Sequence, residues 1–424
     1  VAGPAPGGAG APQPIDFAHC RSLDARDPLR ALRARFARAA EDTVYLDGNS
    51  IGAMPADATA RVHKLMTEGW RDARRRGWSR FDWLQKPWRL GEGVAHIVGA
   101  GKHDVVFCDS TTVNLFKMLA YAWRLDRRRA VIVTETGNFP TDLYAAQSLA
   151  RFVDGSAKLR YLDTPEGLDA ALGPDVGVLY LSLVDYRTSR RWDMAAVNRK
   201  AAAAGVLTLW DLSHAAGAIP VELEGTGADF AVGCGYKYLC GGPGAPAWLY
   251  VHPRHQARAW PVIAGWMGHA DLHAFSQEYE PAEGVRRHLA GTPSVLANEA
   301  LACAIDLWRE VEREDLAWKH RSLSELLVAL LEQECAALGV RLASPRAYDE
   351  RGGHVAFTCE GASAVSQALV AHGVVCSFRK PDSIRFGLSP LALSHEDLWV
   401  AVERLRRVLE SGVWREPQYA KVAL

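Results

Sequence analysis

Six short runs of contiguous apolar and β-branched residues punctuate the middle of the chain, at 130–134, 159–162, 177–183, 206–210, 229–233 and 247–251. Runs this short and mainly apolar predict strands buried on both faces. Most are separated by longer segments in which apolar residues recur every three or four positions, such as 142–152 and 194–204; these predict helices. Strand and helix alternating this way imply right-handed βαβ units and a mainly parallel sheet. Ligands on such sheets bind at the carboxyl ends of the strands. After about Pro293 the pattern changes. Two long amphipathic helices are predicted at 296–313 and 316–338. Strands follow at 354–358 and 383–388, with helices at 364–372 and 395–410. This predicts a smaller α+β domain, and no internal repeat is present.

Composition narrows the classes. The chain has 424 residues, 49% hydrophobic and 23% charged, so it can bury a large core in two or three domains. Its 49 basic residues equal its 49 acidic ones. No bulk field therefore favours nucleic acid or an anionic membrane. Arg74-Arg75-Arg76 and Arg127-Arg128-Arg129 read as solvated surface. No apolar run reaches the roughly 18–20 residues of a membrane span. Eight cysteines without a CxxC pair argue for reduced thiols in the cytoplasm, with neither a disulfide framework nor a bound metal. Residues 1–14 are small and Pro/Gly-rich and lack the features of a signal peptide, so a disordered tail is expected.

The chemistry concentrates at a few places. Lys237 sits between Tyr236 and Tyr238, just before Gly241-Gly242-Pro243-Gly244. Asp211 directly follows the run 206–210, and Lys237 lies 237 − 211 = 26 residues beyond it. Alone, such a lysine is a surface charge and such an acid a helix cap. Together they are what pyridoxal phosphate requires: an amine for its aldehyde and a carboxylate for its ring nitrogen. Aromatic neighbours could partly desolvate the amine and lower its pKa. His214, three residues past Asp211, could join the same network. Asp109-Ser110-Thr111-Thr112 opens a predicted helix over 112–123, and a hydroxyl-rich helix start suits a phosphate as well as a cap. In Asn138-Phe139-Pro140-Thr141-Asp142, Phe139 could stack on an aromatic ring, while Thr141 or Asp142 could be only a cap. Two other patterns fail. Gly99-Ala100-Gly101-Lys102 has His96 and His103 where a phosphate loop needs glycine and a hydroxyl. His269 and His273 lack the glutamate of a zinc helix.

Several segments together resemble the kynureninase family: Tyr45-Leu46-Asp47-Gly48-Asn49-Ser50, Thr111-Thr112-Val113-Asn114, Asn138 to Tyr144, Trp210 to His214, Tyr236 to Leu239, Gly265-Trp266-Met267-Gly268-His269 and Arg385-Phe386-Gly387. The likeness runs from about Ala18 to Val408. It implies an α/β fold of the fold type I pyridoxal phosphate-dependent transferase kind. A large domain (56–300) would carry a mainly parallel seven-stranded sheet, followed by a smaller α+β C-terminal domain (301–424). Residues 15–55 would pack with the small domain. By the same resemblance Lys237 carries the cofactor and Asp211 binds its ring nitrogen, supported by Asp142 and His214. Phe139 stacks on the ring, within the turn that includes Pro140 and Thr141. Thr111, Thr112 and Tyr236 hold the phosphate, with Ser110 and Ser182 nearby. Trp266 and Thr292 would reach it from a second subunit, implying a homodimer. Arg385 would grip the substrate carboxylate, with Trp78, His269 and Ser50 around the substrate, and Tyr236 would shuttle a proton. The implied reaction splits L-kynurenine into anthranilate and L-alanine. Thr292 favours L-kynurenine over its 3-hydroxy form. Met267, Gly235 and Cys240 depart from the family pattern and put pocket shape and rate in question. Rival readings are a class V aminotransferase, a cysteine desulfurase-like lyase using Cys376, and a non-catalytic regulator, which would ordinarily append a DNA-binding domain.

Overall fold

The computed structural model describes residues 14–37 and 42–420. The expected tail therefore lies almost wholly outside the described residues. Seven strands make the large sheet: β1 (Val105–Phe107), β2 (Val131–Glu135), β3 (Lys158–Leu162), β4 (Val176–Ser182), β5 (Leu207–Asp211), β6 (Phe230–Gly233) and β7 (Trp248–Val251). Their order is β1-β7-β6-β5-β4-β2-β3. β7 is antiparallel to both neighbours and every other pairing is parallel. The six runs all became strands, but β3, expected buried on both faces, lies at the sheet edge and is exposed or half-buried except at Leu162. β1, only three residues long, is the strand that the pattern did not show.

Helices cover both faces, as central strands without a polar side require. α1 (Thr111–Leu125), α2 (Pro140–Phe152) and α3 (Met194–Ala203) follow β1, β2 and β4. Each start has a local cause. Ser110 Oγ accepts from the Val113 amide, Pro140 stands in the first turn of α2, and Asp193 accepts from the Ala196 amide. α4 (Val295–Trp308) and α5 (Arg313–Glu334) come next. The helix expected over 316–338 starts three residues earlier. It gives way to a 3-10 turn at Ala336–Leu338, closed by Gly339 at φ 89°.

The small domain holds a four-stranded antiparallel sheet of β8 (Arg341–Leu342), β9 (His354–Thr358), β10 (Ser377–Arg379) and β11 (Ser383–Gly387), in the order β10-β11-β9-β8. α6 (Ala362–Ala371) and α7 (His395–Ser411) cover it. The division expected at residue 300 falls inside α4, whose Leu301, Ile305 and Trp308 belong to the large-domain core. The small-domain core takes up α5 from Leu323 onward. The N-terminal segment contributes to both cores: Leu29, Leu32 and Phe36 to the large one, Cys20, Val44 and Leu46 to the small one. Val44–Tyr45 also pairs in parallel with Val374–Val375.

An N-terminal helix, Phe17–Ala25, docks on α7 through Asp24. Its carboxylate accepts from the His395 amide (2.8 Å), His395 Nδ1 (2.8 Å) and the Glu396 amide (3.0 Å). His395 Nε2 in turn lies 2.8 Å from Ser322 Oγ on α5. The acid thus satisfies the first amides of α7 and ties three helices together.

Candidate active site

The carboxyl ends of β4, β5 and β6 meet the first turns of α1 and α2. Ser182 and Asp211 are register partners at the ends of β4 and β5, so their side chains stand side by side. Asp142, from the first turn of α2, approaches from above. Ser182 Oγ lies 3.1 Å from Asp142 Oδ2 and 2.7 Å from Asn138 Oδ1. Asp211 Oδ1 accepts from the Ser213 amide at 2.7 Å. Burial, then the neighbouring Asp211 charge, pushes the Asp142 carboxyl well above the ordinary carboxylate range, against a hydrogen bond from Ser182. Burial and the neighbouring charge both favour the protonated form of Asp142.

Lys237 leaves the end of β6 through a loop clamped by the N-terminal segment. Gly52 N donates to Tyr236 O at 2.8 Å. A side chain at Gly52 would meet Lys237 O at 2.2 Å, so only glycine permits this approach. Lys237 Nζ lies 3.0 Å from His214 Nε2 and 5.8 Å from the ring centroids of both Phe139 and Tyr236. Burial, then the Lys237 and Arg385 charges, pushes His214 well down, so the ring is neutral. The resemblance had His214 supporting Asp211; the structure turns it instead to the lysine.

Two cavities open here. One of about 200 Å³ is lined on the ring side by Phe139, Thr141, Asp142, Ser182, Asp211 and Lys237, and at its other end by Ser110, Thr111, Thr112 and Tyr236. The second, of about 660 Å³, holds Ser50 and Thr292 and shares Ser110, Thr111 and Tyr236 with the first. Tyr236 is thus a common wall, and burial pushes its phenol pKa up. Pro140 shapes the α2 start without lining either cavity.

Other expected residues lie elsewhere. Trp266 is 42% exposed and packs edge-on to Trp78, 6.0 Å away, which in turn packs on Trp83. Neither lines these two cavities. His269 is half-buried and accepts from the Asp271 amide at 3.0 Å. Arg385 is fully buried, and protein groups occupy its donors. Its Nε and Nη2 reach Ser377 Oγ at 3.1 and 3.0 Å, and Nη1 donates to the Tyr186 carbonyl. Turned to face the guanidinium, the Asn49 amide oxygen adds contacts of 3.0 and 3.2 Å. Burial, then the nearby Arg379 charge, lowers its pKa to about 10. The expected open carboxylate grip is therefore closed here, because a buried guanidinium must satisfy its donors. A carboxylate would have to displace one of these partners. Cys376 is partly buried, and burial pushes its thiol up, away from the thiolate that a desulfurase needs.

Sequence reasoning missed two supporting residues. Asn138 accepts from Ser182, and Lys117 lies under the start of α1, 2.7 Å from Asp109 Oδ2 and 2.7 Å from the His288 carbonyl. Asn138's place beside Phe139 in the same turn was an available signal. Lys117 gave none, being one lysine within a helix.

The donor set fits pyridoxal phosphate. It offers an amine for the aldehyde, a carboxyl pair for the ring nitrogen, a 40%-exposed Phe139 face for the ring, and a hydroxyl-rich helix start for the phosphate. Ser213 Oγ and His214 Nδ1 are buried there without a partner among the described residues, as groups awaiting a polar ligand would be.

The fold is that of the fold type I pyridoxal phosphate enzymes. An apo cysteine desulfurase from Thermococcus onnurineus NA1 superposes with a TM-score of 0.73 at 18% identity, over 90% of this chain and 98% of its own. A C-DES variant with glycine covalently linked to its pyridoxal phosphate cofactor gives 0.74 at 18% identity, over 88% and 98%. Sequence narrows the class. A family model described as the kynureninase C-terminal domain matches residues 316–405. The kynureninase of Deinococcus radiodurans is 46% identical over 401 residues, 93% of this chain and 97% of the relative. Those of Burkholderia mallei and Pseudomonas fluorescens are 41% and 40% identical, each over 94% of this chain and 97% of theirs. The chain belongs to the kynureninase family.

Proposed function

We propose that this protein is a pyridoxal phosphate-dependent hydrolase that splits the Cβ–Cγ bond of L-kynurenine to give anthranilate and L-alanine, in tryptophan catabolism. The observation that carries the reading is the Lys237 amine set among Phe139, Tyr236 and the Asp142–Asp211 pair, in a chain of this family. Lys237, Asp211, Phe139 and the α1 start with Thr111, Thr112 and Tyr236 would hold the cofactor. Bound there, it supplies an electron sink for charge leaving the substrate's Cα.

The chain's residues do the rest. Lys237 Nζ takes the Cα proton and later returns a proton as alanine forms. Asp142, whose buried place disfavours its charge, supports Asp211 against the ring nitrogen. Water adds to the aryl ketone carbon. The Cβ–Cγ bond then breaks with both electrons going to Cβ, and Tyr236 OH, in the wall between the cavities, supplies the proton there. Arg385 pairs with the substrate carboxylate after giving up one of its protein partners. Trp78 would lie at the aryl end, with Ser50 and His269 also contacting the substrate, and Thr292 would disfavour a 3-hydroxyl group. Trp266 and Thr292 complete the site of a second copy, making the protein a homodimer. With eight free cysteines it works in the cytoplasm. Among the described residues no helix is long and apolar enough to cross a membrane.

The test is to mix the cofactor-loaded protein with L-kynurenine and follow anthranilate fluorescence, with 3-hydroxykynurenine in parallel. Anthranilate and alanine in equal amounts are expected. A cofactor spectrum that responds without anthranilate would overturn the reaction.

A further inference from the structure

The small sheet carries a histidine with no part in the steps above. His354 opens β9 and is fully buried. Register pairs it with Gly387, and pairs Ala356, two residues on, with Arg385. Ser377 pairs with Arg385 from the other side. Opposed residues in an antiparallel ladder share a face, as do residues two apart on one strand. His354 and Arg385 therefore project from the same face as diagonal neighbours. The His354 ring also lies 5.8 Å from the His214 ring, and His214 Nε2 is 3.0 Å from Lys237 Nζ. His354 thus stands between the lysine and the guanidinium.

Its backbone is fixed. Tyr238, next to the lysine, donates its hydroxyl to Gly353 O at 2.6 Å, and Leu388 N donates to the same carbonyl at 3.0 Å. Yet neither ring nitrogen has a hydrogen-bond partner among the described residues, and His214 Nδ1 has none either. A buried imidazole left this way bears an uncompensated desolvation cost, and an apolar side chain would fill the place better. The surrounding side-chain charges are cationic. Burial, then Arg385, pushes the ring well below its ordinary pKa, with Lys237 and Arg379 adding to this and only the Arg187 backbone opposing. A neutral imidazole there has one N–H to donate. Among cations, the group that suits it is an anionic oxygen.

We propose that His354 binds substrate: it donates a hydrogen bond to the α-carboxylate of the amino acid held at Arg385 and so sets that carboxylate's position relative to Lys237. This rests on the reaction proposed above.

The test uses the cofactor-loaded protein with His354→Ala, His354→Gln and His354→Asn. It measures kcat and KM for L-kynurenine and calorimetric binding of L-alanine and 2-aminoacetophenone, which keeps the aryl ketone but lacks the carboxylate. Loss of one hydrogen bond to a charged group is worth roughly tenfold or more in affinity. His354→Ala should raise KM and weaken L-alanine binding by about that factor, with 2-aminoacetophenone binding little changed. Glutamine should restore most of the loss and the shorter asparagine little. Unchanged L-alanine binding, or equal loss for both ligands without rescue by glutamine, overturns the proposal. If His354→Ala does not fold, glutamine and asparagine decide, and equal L-alanine binding by the two overturns it. Wild-type protein that binds neither L-kynurenine nor L-alanine overturns instead the reaction on which the proposal rests.

Discussion

Replacing Lys117 with methionine tests whether the phosphate end of the site is held from beneath. The lysine is 2% exposed, and its Nζ contacts Asp109 Oδ2 (2.7 Å), the His288 carbonyl (2.7 Å) and Asn114 Oδ1 (3.2 Å). Asp109 sits at φ 49°, a left-handed conformation that costs a non-glycine residue about 1–2 kcal/mol. The ion pair helps to hold it there. Methionine matches the stem but removes the charge, leaving a carboxylate and two neutral acceptors without their donor. Breaking a fully buried pair costs about 3–5 kcal/mol. Asp109's side chain is 32% exposed and can recover some hydration, so the expected loss is about 2–4 kcal/mol. Equilibrium urea unfolding should report it. Asp109 directly precedes Ser110 and Thr111, so pyridoxal phosphate affinity should also weaken by about tenfold, equivalent to about 1.4 kcal/mol. Unfolding within about 0.5 kcal/mol of wild type and unchanged cofactor affinity would refute the reasoning.

Lys237→Ala should abolish turnover and leave no cofactor that borohydride can fix to the protein; cofactor still fixed by borohydride would remove Lys237 from its role. Arg385→Ala should raise KM for L-kynurenine by at least about a hundredfold, since a charged bidentate contact goes; unchanged saturation would exclude the contact. Asp24 has a pH signature. Burial pushes its carboxyl up, but hydrogen bonds from the His395 side chain and the His395 and Glu396 amides prevail and hold it down to about 2 from 3.8. A depressed folded pKa contributes stability above the unfolded value that is lost as pH falls through the folded one. Asp24→Asn should therefore cost about 2 kcal/mol at neutral pH and flatten the fall in stability between about pH 4 and pH 2. An unchanged profile would show that this docking of the N-terminal helix does not matter.

What the sequence revealed was local. Mainly apolar runs announced six strands of the large sheet, and Asp211, Lys237 and Phe139 stood at strand ends or turns where topology alone brings them together. β1 escaped notice because three residues are too few to show a pattern. Its place beside β7 comes from a non-local pairing. The division between domains escaped because α4 is amphipathic whichever core receives it. His214 was legible as a site residue but not in its direction, since turning to Lys237 rather than Asp211 depends on the loop after β6. Arg385 was legible as a cation, but its enclosure by Ser377, Tyr186 and Asn49 comes from segments far apart in the chain. His354 reads as one more position of a strand until the register places it beside Arg385.

The most direct test of the account is hydrolysis of L-kynurenine in ¹⁸O-labelled water without any keto acid. The account predicts one labelled oxygen in the anthranilate carboxyl group, with L-alanine formed in equal amount. Unlabelled anthranilate, or turnover only when a keto acid is supplied, would contradict it.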